Sequence, residues 1–456
     1  MGGFKLPDTP EDYPVNYVLD GQQRLTTLYG VFHSDAETAL PNLAERFSVC
    51  FVPASEQFVH SSVAEPATSI NLRNILDTTK LLPELQRFSK TDQEKIATLT
   101  ERFKDYEFPV VTIKDRTNQE VCRVFQRINS SGTSLSTLEL LAAWTWSDQF
   151  DLRNEIQGLL DRLADKGYDG LGEAVVMRCL TSVVSGGIEP ESLVDDDPAK
   201  LVTGMSAVKQ ATFAAIDFME KEFSIRNFVF VPFPIMLVPL VHFFAHNLKP
   251  SAEQRRALCR WFWHCSFSQR YKAGTNTYVM EDLALMKRLA AGEKVFDSLG
   301  TSIEPSFFKR TWRINSTAAK AAICLLAQYE PRSFISDSKV DLGNTLSSYN
   351  ARQFHHIYPK AFLNTLGIPF HESNVIANVC LLTASDNNAI SDADPKNYFP
   401  TIPAHLRKRV LESALIPEEF ADGSKPYALF VDARAATLAA AAEYLIANGR
   451  PAGTSA

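Results

Sequence analysis

The stretch FVFVPFPIMLVPLVHFFA, Phe228 to Ala245, is the segment that most narrows what this chain can become. It approaches the length that spans a bilayer, but Pro232, Pro234, Pro239 and His242 interrupt it. A proline inside a helix removes a backbone hydrogen bond, whereas prolines ahead of a helix or in its first turn cost it little. The expectation is a buried helix entered through a proline-rich turn, not a membrane span. A chain of 456 residues, 45% of them hydrophobic, has the material for such a core and for more than one domain.

The opening residues, MGGFKLPDTPEDYP, show no basic start followed by an apolar run, so no secretory signal is read and the expected location is the cytoplasm. The seven cysteines (50, 122, 179, 259, 265, 324 and 380) are scattered, without a CxxC pair. That argues against a disulfide framework and a zinc site and for reduced core thiols. A net charge of −7 gives no global sign of a polyanion binder, which leaves room only for a local basic patch.

Short β-branched and aromatic runs, VNYVL (15–19), FSVCFV (47–52) and FPVVTI (108–113), predict strands, each followed by helical spacing. The helical candidates are TTLYGVF, SINLRNIL, the segment from Leu81 to Phe103, and NQEVCRVFQRIN (118–129). From about residue 150 to 340 the pattern turns almost wholly helical, and it changes again near 350 to a histidine pair, Asn-rich loops and a closing helix, ATLAAAAEYLIANG. The predicted class is α+β, predominantly helical, with boundaries at 1–150, 151–340 and 341–456.

Residues 16–30, NYVLDGQQRLTTLYG, place a polar cluster between a strand-like and a helix-like run. At such a junction unpaired backbone N–H groups and the helix dipole favour an anion, which suits a phosphate. Gly21 permits a tight turn and close approach, and Arg24 offers a planar fork of donors. Asp20 is the candidate to hold a metal ion or polarise a water, Gln22 and Gln23 both donate and accept, and Thr26 and Thr27 add hydroxyls. The plain alternative is that Asp20 caps the helix and Arg24 pairs with a surface carboxylate.

VLDGQQRLTTL resembles the signature of the N-terminal domain of GmrSD-type modification-dependent restriction endonucleases, a domain related to ParB-like α/β folds. VFQRINSSGTSLSTLELLAA (124–143) resembles the same family's Arg-x-Asn-x-x-Gly-Thr-x-Leu segment. The resemblance implies nucleotide binding and hydrolysis at the DGQQR turn, with Arg127 and Asn129 on the far wall of the pocket. A plain helix C-cap at Gly132 is the alternative for the second segment. It also implies further sequence ahead of the DGQQR strand, so the first domain is read as truncated at its N-terminus.

A second constellation is FHHIYPKAFL (354–363) followed by NVIANVCLLTASDNNAIS (374–391). Together they look like the His-Me finger (HNH, ββα-metal) nuclease pattern. Phosphodiester cleavage needs a deprotonated water and a cation that stabilises charge on the leaving oxygen. The resemblance implies His356 as general base, Asn378 orienting its ring, and His355 and Asn387 on one Mg²⁺- or Mn²⁺-like ion. Asn388 and Ser391 are expected to cap the motif's final helix, and Lys360 to meet phosphate. Arg352 and the HLRKR run (405–409) are read as a DNA grip or, equally, a solvated helix face. The tryptophans of WFWHC are read as packing, with Arg270 and Tyr271 after them left between DNA and domain contact.

The combined expectation is a cytoplasmic phage-defence endonuclease, dependent on a divalent metal and regulated by a nucleoside triphosphate, GTP or another. It would cut modified DNA. The alternative from another class is a nucleotide-sensing DNA-binding regulator with an inert nuclease motif, and a third is an incomplete product active only when longer.

Overall fold

The computed structural model describes Phe4, Val18, residues 21–33, 43–114, 116, 120, 121, 124, 136–147, 149–296, 299, 300, 302–345 and 354–452. The chain divides into two compact units, Met1–Leu135 and Ser136–Ala456.

The first unit is built on a three-stranded antiparallel sheet in the order β2-β1-β3, from β1 (Val49–Val52), β2 (Gln57–His60) and β3 (Ile70–Asn71). Val49 pairs with His60 on one side of β1, and Phe51 with Ile70 on the other. Helix α1 (Gln22–Phe32) precedes the sheet. After it come α2 (Leu72–Ile75), α3 (Thr78–Leu85) and α4 (Lys90–Lys104). Asn71, Asp77 and Ser89 each accept a backbone N–H at the start of the helix that follows, which sets where these three helices begin. The core gathers Val31, Phe51, Ile70, Leu72, Ile75, Leu81, Phe88 and Ile96.

Three details depart from the sequence reading. The segment from Leu81 to Phe103 is two helices, because Ser89 opens a new one. FPVVTI is not a strand: Phe108, Val110 and Val111 stand in solvent, the last 84% exposed. β propensity measures fit to a pleated, half-buried surface, and among the described residues none covers this segment. The sheet of this unit is antiparallel rather than the parallel kind an α/β domain would carry.

The second unit is a helical array: α5 (Thr137–Thr145), α6 (Leu152–Ala164), α7 (Glu173–Val184), α8 (Pro198–Phe223), α9 (Leu237–His246), α10 (Ala252–Ser268), α11 (Thr275–Ala290) and α12 (Thr317–Ala327). Helix α9, from the apolar stretch Phe228 to Ala245, is its centre. Every residue from Leu237 to Phe244 is buried, with α7, α8 and α11 packed around it. Pro234 begins a 3-10 turn and Pro239 falls in the first turn of α9, where a missing N–H costs no intrahelical bond. Among the described residues no helix is long and apolar enough to cross a membrane.

The array runs on into β4 (Phe354–His356), α13 (Lys360–Thr365), α14 (Phe370–Ser373), β5 (Val379–Leu381), α15 (Ala384–Ile390), α16 (Ala404–Ser413) and α17 (Tyr427–Asn448). No unit boundary falls near residue 340, and the contacts give the reason. Helix α10 packs along α17, and residues 308–312 join residues 374–377 through a Thr311–Val375 bridge and the bonds Ile376 N–H to Arg310 O and Ala377 N–H to Phe308 O. The described cysteines are all buried and unbridged; Cys122 lies outside the described residues.

Candidate active site

At the N-terminal turn, Gly21 is the residue that caps α1, with φ of 87°, and it makes no side-chain cap bond. That left-handed conformation favours glycine, and the Arg24 guanidinium folds back to 3.5 Å from where a Cβ would stand. Gln22, Gln23 and Arg24 are exposed. The Thr26 and Thr27 hydroxyls do not reach outward: they donate to Gln22 O and Gln23 O at 2.7 and 2.9 Å. Asp20, Arg127, Asn129 and Gly132 lie outside the described residues.

The histidine pair sits on β4, which pairs antiparallel with β5: His355 faces Cys380 and His356 faces Val379. Thr383 then starts α15 through a capping box with Asp386, so that strand, strand and helix follow in order, with Asn387 one turn into the helix. Asn388 and Ser391 do not cap that start. Asn388 is exposed and Ser391 closes the far end, its N–H bonding to Asn387 O at 2.9 Å. Asp386 is fully buried and accepts from Thr383 N, Thr383 Oγ1, Ser333 Oγ and Ile335 N. Those bonds satisfy the carboxylate and tie the helix to the preceding loop.

Asn378, 0% exposed, does not reach the His356 ring. Its Oδ1 accepts from Tyr358 N at 2.9 Å, and its Nδ2 donates to Tyr358 O and Ser373 O at 2.9 and 3.0 Å. An amide whose two N–H groups and whose oxygen all bond to backbone fixes the path of the chain two residues beyond the base rather than orienting the ring. The ring partner is Asn374, which the sequence reading did not single out: His356 Nε2 lies 2.9 Å from Asn374 Oδ1. Asn374 Nδ2 in turn donates to Trp312 O at 3.1 Å, and the two main chains bond at 2.7 Å.

The half-buried His356 ring has its pKa pushed down to about 4. Burial is the main cause, with Lys360 and His355 acting the same way and the Asn374 bond opposing them. The ring is therefore neutral at physiological pH, the form in which it accepts a proton. The strand pair is braced from behind by Arg434 of α17, fully buried, whose Nη1 donates to Ala377 O and Val379 O and whose Nη2 donates to Ala414 O. Burial lowers its pKa to about 10, so it stays charged at neutral pH. Tyr398 Oη donates to Ile357 O.

Around this hairpin, Lys360 holds its ammonium 5.7 Å from the ring of Phe370, itself 64% exposed. The HLRKR run is largely committed: Arg407 donates to Pro400 O and Ile402 O, and Arg409 pairs with Asp337. Arg352 lies outside the described residues. Arg270 belongs to a packing network centred on the buried Asp282, which also takes the Trp261 indole and the Tyr271 hydroxyl. Among the described residues no three His, Cys, Asp or Glu side chains gather closely enough to hold an ion.

The geometry thus defines a braced histidine on a strand-strand-helix unit. Comparison with known proteins adds to it from the other end of the chain. Residues 2–146 match the family model of the GmrSD restriction endonuclease N-terminal domain, and this match supports kinship with that family. The chain is also 22% identical, over 432 residues covering 84% of it and 72% of the relative, to an uncharacterized protein of Methanocaldococcus jannaschii.

Proposed function

We propose that this protein is a metal-dependent DNA endonuclease of the HNH type that cuts modified, foreign DNA in the cytoplasm. A nucleoside triphosphate at the N-terminal turn regulates the cut. The observation that carries the reading is the neutral imidazole of His356, held at Nε2 by Asn374 on a hairpin whose backbone is fixed by Asn378 and Arg434. The match to a restriction endonuclease domain supports the substrate class.

In the reaction, water attacks phosphorus, His356 takes its proton, and the bond to the leaving oxygen breaks. Lys360 meets a phosphate oxygen and Phe370 offers a face to a neighbouring base. The donors His355 and Asn387, an imidazole nitrogen and an amide oxygen, fit a divalent ion. Both are neutral, so they leave its charge for phosphate oxygens and water. When bound, the ion supplies charge stabilisation at the leaving oxygen. At the other end, Gly21, Gln22, Gln23 and Arg24 receive the phosphates, with Asp20, Arg127 and Asn129 completing the pocket.

A plasmid-nicking assay with Mg²⁺ or Mn²⁺, with and without NTP, tests the reading. His356→Ala is expected to lose about 10²–10⁴-fold in rate, and Arg24→Ala to lose NTP hydrolysis and the NTP response. Nicking by His356→Ala at the wild-type rate would overturn the site. Salt-sensitive DNA binding without scission, unchanged in that variant, would instead establish the regulatory alternative.

A further inference from the structure

The hydrogen bonds around Asn374 carry more than orientation. Trp312 O is a main-chain carbonyl and can only accept, so the amide of Asn374 must turn its Nδ2 toward it. The other amide atom, Oδ1, therefore faces His356 Nε2 at 2.9 Å. A carbonyl oxygen in that place requires a donor, and Nε2 must carry the ring proton. The amide has no freedom to flip. Asn374 is 6% exposed, and its segment is bound to residues 308–312 by Trp312 N–H to Asn374 O at 2.7 Å and by the Ile376 and Ala377 N–H groups.

We infer that Asn374 is the positioning residue of His356 and commits its ring to one tautomer, with the proton on Nε2 and the lone pair on Nδ1. The catalytic half of this inference rests on the proposed nuclease reading; the tautomer does not. His356 Nδ1 has no hydrogen bond among the described residues, and it is not one of the buried side-chain atoms cut off from solvent. It is thus the nitrogen that water reaches. In the reaction the water O–H bond breaks toward Nδ1 as the new oxygen–phosphorus bond forms and the bond to the leaving oxygen breaks. The imidazolium that results donates a stronger, charge-assisted bond through Nε2 to Asn374 Oδ1. Asn374 thereby helps to bear the charge that the transferred proton brings, without touching the substrate.

The test uses the full chain with ¹⁵N-labelled histidine, in a two-bond ¹H–¹⁵N correlation spectrum at neutral pH. The His356 resonances are assigned by their loss in His356→Gln. Wild type is expected to show Nε2 as the protonated, pyrrole-type nitrogen and Nδ1 as the bare, pyridine-type one. Asn374→Ala is expected to release the ring to a mixture of tautomers and to slow nicking about 10²-fold. Asn374→Asp keeps an acceptor on the Nε2 proton and is expected to hold the tautomer. A wild-type ring protonated on Nδ1 overturns the inference whether or not the protein nicks DNA. So does an Asn374→Ala protein that keeps both the Nε2 tautomer and the full rate. If Asn374→Ala fails to fold, the wild-type spectrum alone decides the tautomer. An Nε2-protonated wild type that does not nick removes the nuclease reading and leaves the tautomer assignment standing.

Discussion

The turn at Gly21 and the hairpin at His356 are two polar clusters that look equally rich in sequence, and the structure treats them in opposite ways. At the turn, the glutamines and Arg24 stand in solvent, and the threonine hydroxyls are spent on their own helix. At the hairpin, nearly every polar group behind the base is buried and paired: Asn378 with backbone, Asn374 with a ring and a carbonyl, Arg434 with carbonyls, Asp386 with hydroxyls and amides. Preorganisation of this kind is what proton transfer demands, because a base held loosely loses most of its advantage. A loop that receives a phosphate can instead complete its shape from the ligand, since backbone N–H groups and an arginine fork need only be available.

The largest expected effect lies at the hairpin. Asn378→Ala would leave Tyr358 N–H and Tyr358 C=O without their partner in a dry place and take one of two donors from Ser373 O, which keeps the Tyr427 hydroxyl, at a cost of about 2–4 kcal/mol in unfolding free energy. Urea denaturation measures this, and an unchanged midpoint would show that the brace is dispensable.

An effect of similar size lies in the helical array. His242 on α9 is 3% exposed, and burial holds its pKa near 4, against 6.5 for the free side chain. Between those two values the unfolded chain binds more protons than the folded one, so stability falls as pH drops from 6.5 toward 4. The full loss below that window is about 3 kcal/mol for this residue. His242→Phe should flatten the fall in melting temperature between pH 7 and 5, leaving the part owed to His356 and His264, whose pKa values burial also lowers. An identical slope in the variant would remove His242 as its source.

The smallest effect belongs to the turn. Thr26→Ala loses one exposed hydroxyl bond to its own helix, and its stability is expected to stay within about 0.5 kcal/mol of wild type. A larger loss by thermal melting would mean that the turn, too, is a built site in the unliganded protein.

How far the sequence could be read follows the same division. The central helix was legible because prolines and an apolar run have local consequences, and so was the burial of the described cysteines. Around His356 the histidine pair and the Asn-rich segment stood out, but the helix start did not: Thr383 with Asp386, not Asn388 and Ser391, opens α15. Asn374 was not singled out, although it begins the quoted Asn-rich segment: what defines it is Trp312, 62 positions earlier, brought alongside by a backbone bridge. Arg434 is likewise remote in sequence, 57 and 55 positions, from the carbonyls of Ala377 and Val379. The FPVVTI run misled for the opposite reason, since its residues favour a strand but strand formation requires a neighbour.

Arg434 also fixes an order of events in the making of the protein. It stands on α17, so the carbonyls of Ala377 and Val379 gain their guanidinium only after the 55 to 57 residues that separate them from Arg434 have been made. A nascent chain that already displays both histidines lacks the clasp behind them. The strand pair thus stays unbraced until α17 has been made.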